Sequence, residues 1–476
     1  MTPPGSTGGG FSPGYRRLVL LTLMLVYALN AADRNLIPIV GQAMEADLGL
    51  SDTQLGVLAG AAFAALYALS GLPLARLAER FSRVRILAAS LAVWSALSAL
   101  FAFAGSFVQL AALRVGVGIG EAGCNPCAHS LISDYYPRGR RTSALSVYSC
   151  GLSLGYLFVA LAGGYVTLHY GWRAACLAVA LPGVALALLL RWLVAEPPRG
   201  GSEGAAAPAA APFSWREELA QIGAVARALF LTWPAANIIL GFTIASFAAY
   251  GSWAFLPAYF HRAFALDYAT IGVALGLAGS VPVALGTLAG GFLTDRLGAR
   301  RPRWYALASA AGLLAATPLY LLALSRADWR AAALFLALPG FFQYVSLGPS
   351  FGVVQNVVAV RQRATATALL FLCLNVLALG GGAPFTGHLI DVFAQGQFAS
   401  AAASLPGASF RIACRGGVAP PGAPPALATL CADVLVRATH RGIALTVAFY
   451  VWAAVHYLLG ALGLERQLRA AAAAAH

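Results

Sequence analysis

Lysine is missing from this 476-residue chain: all 31 basic residues are arginine. Acidic residues number 17, and charged residues of both signs make up only 10% of the chain. A soluble domain carries about 25%, so a water-facing globular protein is excluded. Without lysine there is no G-x-x-x-x-G-K-[ST] phosphate loop, which argues against an ATP-driven pump. The formal charge of +14 does not signal nucleic acid, because the arginines sit in short loops between apolar runs, where they act as topology signals. No cleavable signal peptide is apparent; Gly/Pro-rich residues 1–14 lead straight into the first apolar run. His, Cys, Asp and Glu show no metal-ligand spacing. No nucleophile has a positioned histidine, so a membrane enzyme such as a lipid acyltransferase is disfavoured.

What the chain has in abundance is apolar sequence. Hydrophobic residues make up 60% of it, in runs of the roughly 20 residues that one helical crossing needs. Turn signals divide these runs into twelve predicted spans near 17–41, 53–75, 84–105, 108–133, 142–168, 172–195, 230–260, 268–294, 304–325, 329–358, 364–391 and 438–464. The expected fold is all-α: a polytopic membrane protein with twelve transmembrane helices in two pseudo-symmetric six-helix bundles. The first bundle covers 17–195 and the second 230–464, with a disordered N-terminus (1–16) and a tail (465–476). Between the bundles, residues 196–229 form a linker that begins "EPPRGGSEGAAAPAAAP" and ends in the amphipathic "FSWREELAQIGAVARAL", expected to lie on the membrane surface. The arginine bias places both termini in the cytoplasm. A long outer loop (395–436) contains Cys414 and Cys431, for which a disulfide and free thiols are both open; Cys124 and Cys127 of "CNPC" are expected to be small packing residues.

The halves echo each other. "ARLAERFSRVR" (Ala75–Arg85) follows span two and "GFLTDRLGARR" (Gly291–Arg301) follows span eight, pairing Glu79-Arg80 with Asp295-Arg296. "RTSA" from Arg141 and "RATA" from Arg363 form a second echo. The G-x-x-x-D-R-x-G-R-R pattern resembles the loop signature of the major facilitator superfamily, nearly complete in the second copy; in the first, Ala75, Glu79 and Ser82 depart from it. Such acids at helix ends, with Arg80, Arg83, Arg296, Arg141 and Arg363, suit a cytoplasmic gate. More narrowly, "DR" at Asp33-Arg34, "DLGLSDTQLG", "GLPLARLAERFSR", "RVGVGIGEAG" and "EPPRG" resemble the Spinster family over roughly Asn30 to Gly200. The resemblance implies a bacterial inner-membrane transporter moving lysolipids or sphingoid lipids, linked to protons. It implies no cofactor beyond the proton gradient, and the chain is expected to act as a monomer among membrane lipids.

The spans themselves carry charge. An ionised side chain at the bilayer centre costs about 2.5–3.5 kcal/mol on insertion scales, so such residues default to a substrate or proton pathway. Arg114 and Glu121 in span four are seven residues apart, on one stripe and roughly 10 Å apart along the axis. Asp33 and Arg34 point about 100° apart and need separate partners. The expectation is one network of Asp33, Arg34, Arg114 and Glu121 with Asn30 nearby. In it Asp33 or Glu121 exchanges the proton, while Asn30, Arg34 and Arg114 meet an anionic head group. The Asp33→Asn variant is expected to lose pH-driven transport. In the second half the inward candidates are neutral: Asn237, Thr243, Gln343 and Asn356, with Tyr250, Tyr344 and Asn375 taken as substrate contacts, an uncharged wall for an acyl tail. The alternatives are a drug or organic-anion carrier on the same fold, and a lipid-binding receptor that does not transport.

Overall fold

In hydrocarbon every backbone N–H and C=O must find a partner within its own segment, which makes a run of apolar residues helical. In a computed structural model, eleven helices among the described residues are long and apolar enough to cross a membrane. One apolar stretch, Val147–Leu193, has 47 residues. At 1.5 Å per residue that is about 70 Å, more than twice the hydrocarbon thickness of about 30 Å. It turns at Gly171, whose φ of 82° and ψ of 166° are not helical. A side chain there would strain the backbone. The stretch therefore supplies spans five and six, giving twelve candidate crossings among the described residues.

The structure describes residues 6–7, 10–136, 138–198, 215–298, 300–358, 363–401, 410–414, 417–420 and 422–473. They fall into two compact units. The first takes residues 1–44, 62–213 and 268–272; the second takes 45–61, 214–267 and 273–476. The sequence halves are thus preserved except for two exchanged pieces. Residues 45–61, at the junction of spans one and two, pack with the second half, and residues 268–272 pack with the first.

The first unit starts earlier than the composition suggested. Its first helix is Pro13–Leu48, because Pro13 presets a helical φ and Ser12 Oγ accepts the Tyr15 N–H at 3.2 Å. Phe11 lies against the rings of Tyr15 and Tyr135, so residues from Phe11 onward are ordered. The helix also continues past Gly41 to Leu48, which sets the depth of Asp33 and Arg34.

In the second unit the linker helix is Trp215–Phe230 and the last span is Pro425–Ala461. Spans nine, ten and twelve meet at a buried polar knot. The Tyr320 and Tyr450 hydroxyls both donate to Gln343 Oε1, and their rings stack at 5.8 Å. The long loop is shorter than predicted, since one helix runs to Ala401 and the last span's helix starts at Pro425, with the short helix Phe410–Ala413 between them. Cys414 and Cys431 are joined as a disulfide, with Cα atoms 5.4 Å apart.

Candidate functional site

The charges of spans one and four form two buried ion pairs inside the first unit. Arg114 Nη1 donates to Asp33 Oδ2 at 2.9 Å, and Arg34 Nε donates to Glu121 Oε2 at 2.7 Å. Adjacent residues on a helix diverge by about 100°, so Asp33 and Arg34 reach different partners seven residues apart on span four. The remaining contacts separate the pairs chemically. Both oxygens of Asp33 are engaged: Ser98 donates to Oδ1 while Arg114 donates to Oδ2. Arg114 also reaches the backbone carbonyls of Asp33 and Arg34, at 3.4 and 3.2 Å. The other pair is unfinished. Glu121 Oε1 and Arg34 Nη2 are buried without hydrogen-bond partners among the described residues, as are both amide atoms of Asn30. Asn30 lies four residues before Arg34 and so shares its helix face. Phe63 sits under both guanidinium groups, at 4.9 Å from Arg34 and 5.0 Å from Arg114, and Tyr67 lies 4.6 Å from Arg34. The Arg34 side chain keeps 26% of its surface exposed, against 0% for Glu121.

A second charged cluster escaped the sequence reading. In the second unit, buried Arg262 at the end of span seven pairs with Glu45 at 2.7 Å and, through both nitrogens, with Asp52 at 2.8 and 3.2 Å. Its Nη1 also donates to Thr439 Oγ1 at 2.7 Å. Asp391 caps the start of the Asp52–Gly56 helix, accepting the Thr53 N–H at 3.0 Å and its hydroxyl at 2.5 Å. One turn earlier, Gly387 lets the Asp52 carbonyl come so near that an added Cβ would lie 2.1 Å from it. The only sequence signal was Asp52 within "DLGLSDTQLG"; Arg262 looked like an ordinary helix-end arginine.

Of the residues assigned to a cytoplasmic gate, the side chains of Glu79, Arg80, Arg141, Asp295 and Arg363 lie outside the described residues. Arg296 is exposed. Arg83 is buried in a knot of its own, paired with Asp134 and with Glu196 of "EPPRG", and donating to Ser130 Oγ at 2.8 Å. Glu196 in turn accepts the Val84 N–H at 3.0 Å and the Ser82 hydroxyl at 2.7 Å, capping the third span. Partial burial alone would raise the Glu196 pKa, but the Val84 amide, Ser82 and Arg83 together hold it below the ordinary glutamate value. A depressed folded-state pKa stabilises above the unfolded value and is lost as pH falls. Glu196→Gln is therefore expected to lower the melting temperature at pH 7. The gap to the parent should close as pH drops through about 4.5 toward the folded pKa; a pH-independent gap in thermal scans would refute this.

Of the neutral candidates, Tyr250 is 44% exposed, Tyr344 is half-buried, and Asn375 donates to Phe371 O of its own helix at 2.8 Å. The polar knot of this unit centres on another of the inward candidates, Gln343, whose Nε2 is buried without a partner among the described residues. No group of three or more His, Cys, Asp and Glu side chains among the described residues is placed to hold a metal ion.

Charged pairs buried inside apolar helices, in a chain with a repeated half, suit a membrane carrier. The sequence model of the Major Facilitator Superfamily matches residues 23–383. The chain belongs to the major facilitator superfamily. It is 33% identical over 370 residues to an MFS-type efflux pump of Mycolicibacterium smegmatis, covering 78% of this chain and 83% of that one. Protein spinster homolog 1 of Homo sapiens is 27% identical over 406 residues, 80% of this chain and 74% of that one. The crystal structure of a bacterial homologue of the human lysosomal transporter Spinster, inward-facing and unoccupied, superposes with a TM-score of 0.85 at 30% identity, covering 96% of this chain and 99% of that one. This superfamily member is a Spinster-like transporter, not an enzyme.

Proposed function

We propose that this transporter moves amphiphiles with a polar head and a hydrocarbon tail, of the lysophospholipid or sphingolipid kind, by proton-coupled alternating access. Its membrane is the bacterial inner membrane, with both termini in the cytoplasm. The carrying observation is the unfinished Arg34–Glu121 pair. A buried charge left half-bonded is costly, so its open valences favour water or a ligand. Protonating Glu121 releases Arg34 for an anionic head group; losing that proton returns Arg34 to Glu121. Proton and substrate then compete for one guanidinium, and each must alter the affinity of the other by the same factor. Asp33, bonded through both oxygens to Ser98 and Arg114, holds span one against span four while Glu121 cycles. Asn30 adds a donor and an acceptor beside Arg34, and the Gln343 knot belongs to a wall without charge.

The Arg262–Glu45–Asp52 cluster serves as a latch at the end away from the termini. The Cys414–Cys431 bond supports placing that end on the oxidising side, where disulfides persist. Alternating access then requires this latch to part. The similarity to an efflux pump favours one alternative, a drug or organic-anion carrier using the same charges. A receptor that binds lipid without moving it is the other.

Proteoliposomes separate these readings. With a pH gradient imposed, labelled lysophosphatidylethanolamine should move faster than without one. Gradient-independent flux would remove proton coupling. Binding without flux would point to the receptor, and gradient-driven movement of organic anions but not lysolipids to the carrier.

A further inference from the structure

We propose that the segment from Phe410 to Cys414, between the last two spans, is a strap, hinged by the disulfide and clasped by one ion pair, that holds the latch shut. This rests on reading Arg262, Glu45 and Asp52 as a latch. The hinge is Cys431, near the start of the Pro425–Ala461 helix, bonded to Cys414. Both cysteines are buried. From Cys431 the helix runs eight residues, about 12 Å, to Thr439, which binds Arg262 at 2.7 Å. From Cys414 the chain leads back through the short helix Phe410–Ala413. Phe410 packs edge-to-face on Phe398 at 5.7 Å, and its N–H donates to Gln395 Oε1 at 2.8 Å. Next to it, Arg411 reaches Asp391 at 3.7 Å. Asp391 holds Thr53, the neighbour of Asp52, through two hydrogen bonds. Asp52 returns to Arg262, which closes the ring.

Each link is made by residues of the second unit, and inside the ring lies a cavity of about 220 Å³ lined by Glu45, Asp52, Asp391, Phe410 and Cys414, among others. The links differ in strength. The disulfide is covalent and buried. The Arg411–Asp391 pair is long, and the arginine side chain is 66% exposed. An exposed ion pair contributes little, so the clasp opens before the hinge. The start of span two cannot draw away from Arg262 without Asp391 letting go of Thr53 or following it. Arg411 and the packed Phe410 restrain Asp391 and its helix. The strap thereby resists opening of the latch, and a segment cut free of its hinge stops doing so.

Hydrogen exchange on the purified full-length protein tests this without a known substrate. In a Cys414→Ser, Cys431→Ser double variant, peptides covering residues 50–56 and 255–264 should exchange about tenfold faster, the signature of easier local opening. Peptides within residues 20–40 should be unchanged, which reports that the fold is intact. Arg411→Gln, which leaves the disulfide in place, should give a smaller rise at 50–56 of about twofold to threefold. Unchanged exchange at 50–56 in both variants overturns the strap, whatever the transport assay gives. The latch is read separately, as a change of flux in Arg262→Met proteoliposomes. Faster exchange in the strap variants with unaltered Arg262→Met flux upholds the strap and removes the latch.

Discussion

Glutamine in place of Glu121 should abolish the response of transport to a pH gradient. Coupling free energies between two ligands typically amount to about 5–150-fold in affinity, so a pH-dependent change in substrate affinity of that size should vanish and the gradient-driven component of flux should fall to background. The variant should still fold. Glutamine keeps the shape of the carboxylate and can accept the Arg34 Nε–H that Glu121 Oε2 accepts at 2.7 Å. Substrate binding should persist and lose its pH dependence, because Arg34 no longer has a carboxylate that competes with the head group. Equilibrium exchange without a gradient separates this from a dead protein: it should remain measurable in the variant. Normal gradient-driven flux from Glu121→Gln would end the coupling scheme. The contrast with Asp33 sharpens the test. Asp33→Asn was expected from sequence to have the same effect, yet both of its oxygens are engaged and its partner Arg114 is almost fully buried. Removing that charge strands a buried guanidinium, a loss of about 3–5 kcal/mol where a buried pair is broken. Asp33→Asn should therefore appear first as lost thermal stability.

The first six spans were the legible half. Buried charge is so costly in a membrane that Asp33, Arg34, Arg114 and Glu121 had to find one another, and helical spacing alone forbade Asp33 and Arg34 a common partner. Depth was not legible. It depended on where the first helix ends, and that end is Leu48, not near Gly41. Composition also hid Arg262. A basic residue closing an apolar run carries the same mark whether it faces lipid headgroups or is buried against acids more than 200 residues earlier in the chain. Rotation about a helix was equally hidden in the neutral half. Gln343 and Tyr344 are adjacent, about 100° apart, and only the tyrosines of spans nine and twelve select Gln343 for the core. The echo of loop sequences showed two related halves. It did not show that residues 45–61 pack with the second of them, since that follows from Arg262 and Asp391 drawing in Glu45, Asp52 and Thr53.

Methionine at position 262 should have the largest effect on stability of the latched state. The substitution keeps much of the side-chain volume and leaves Glu45 and Asp52 buried together with no counter-charge. Their side chains are only 5% and 2% exposed. Breaking a buried pair by removing one partner costs about 3–5 kcal/mol. In a protein that exchanges between two states, this penalty falls on the state in which the cluster is closed. Thr439 is fully buried and bonded to Arg262, so it makes a reporter. A Thr439→Cys thiol should resist a membrane-impermeant maleimide when Arg262 is present and react when position 262 is methionine. The acids decide whether charge is the cause. Adding Glu45→Gln and Asp52→Asn to Arg262→Met removes the unpaired charges, and neutral replacement of a whole buried ion cluster is often close to neutral in stability. The triple variant should recover most of the lost melting temperature. It should still be reactive at Thr439→Cys, because the amides restore no ionic bond across the cluster. If the triple variant were as unstable as Arg262→Met alone, packing of the arginine stem, not its charge, would be what closes this end.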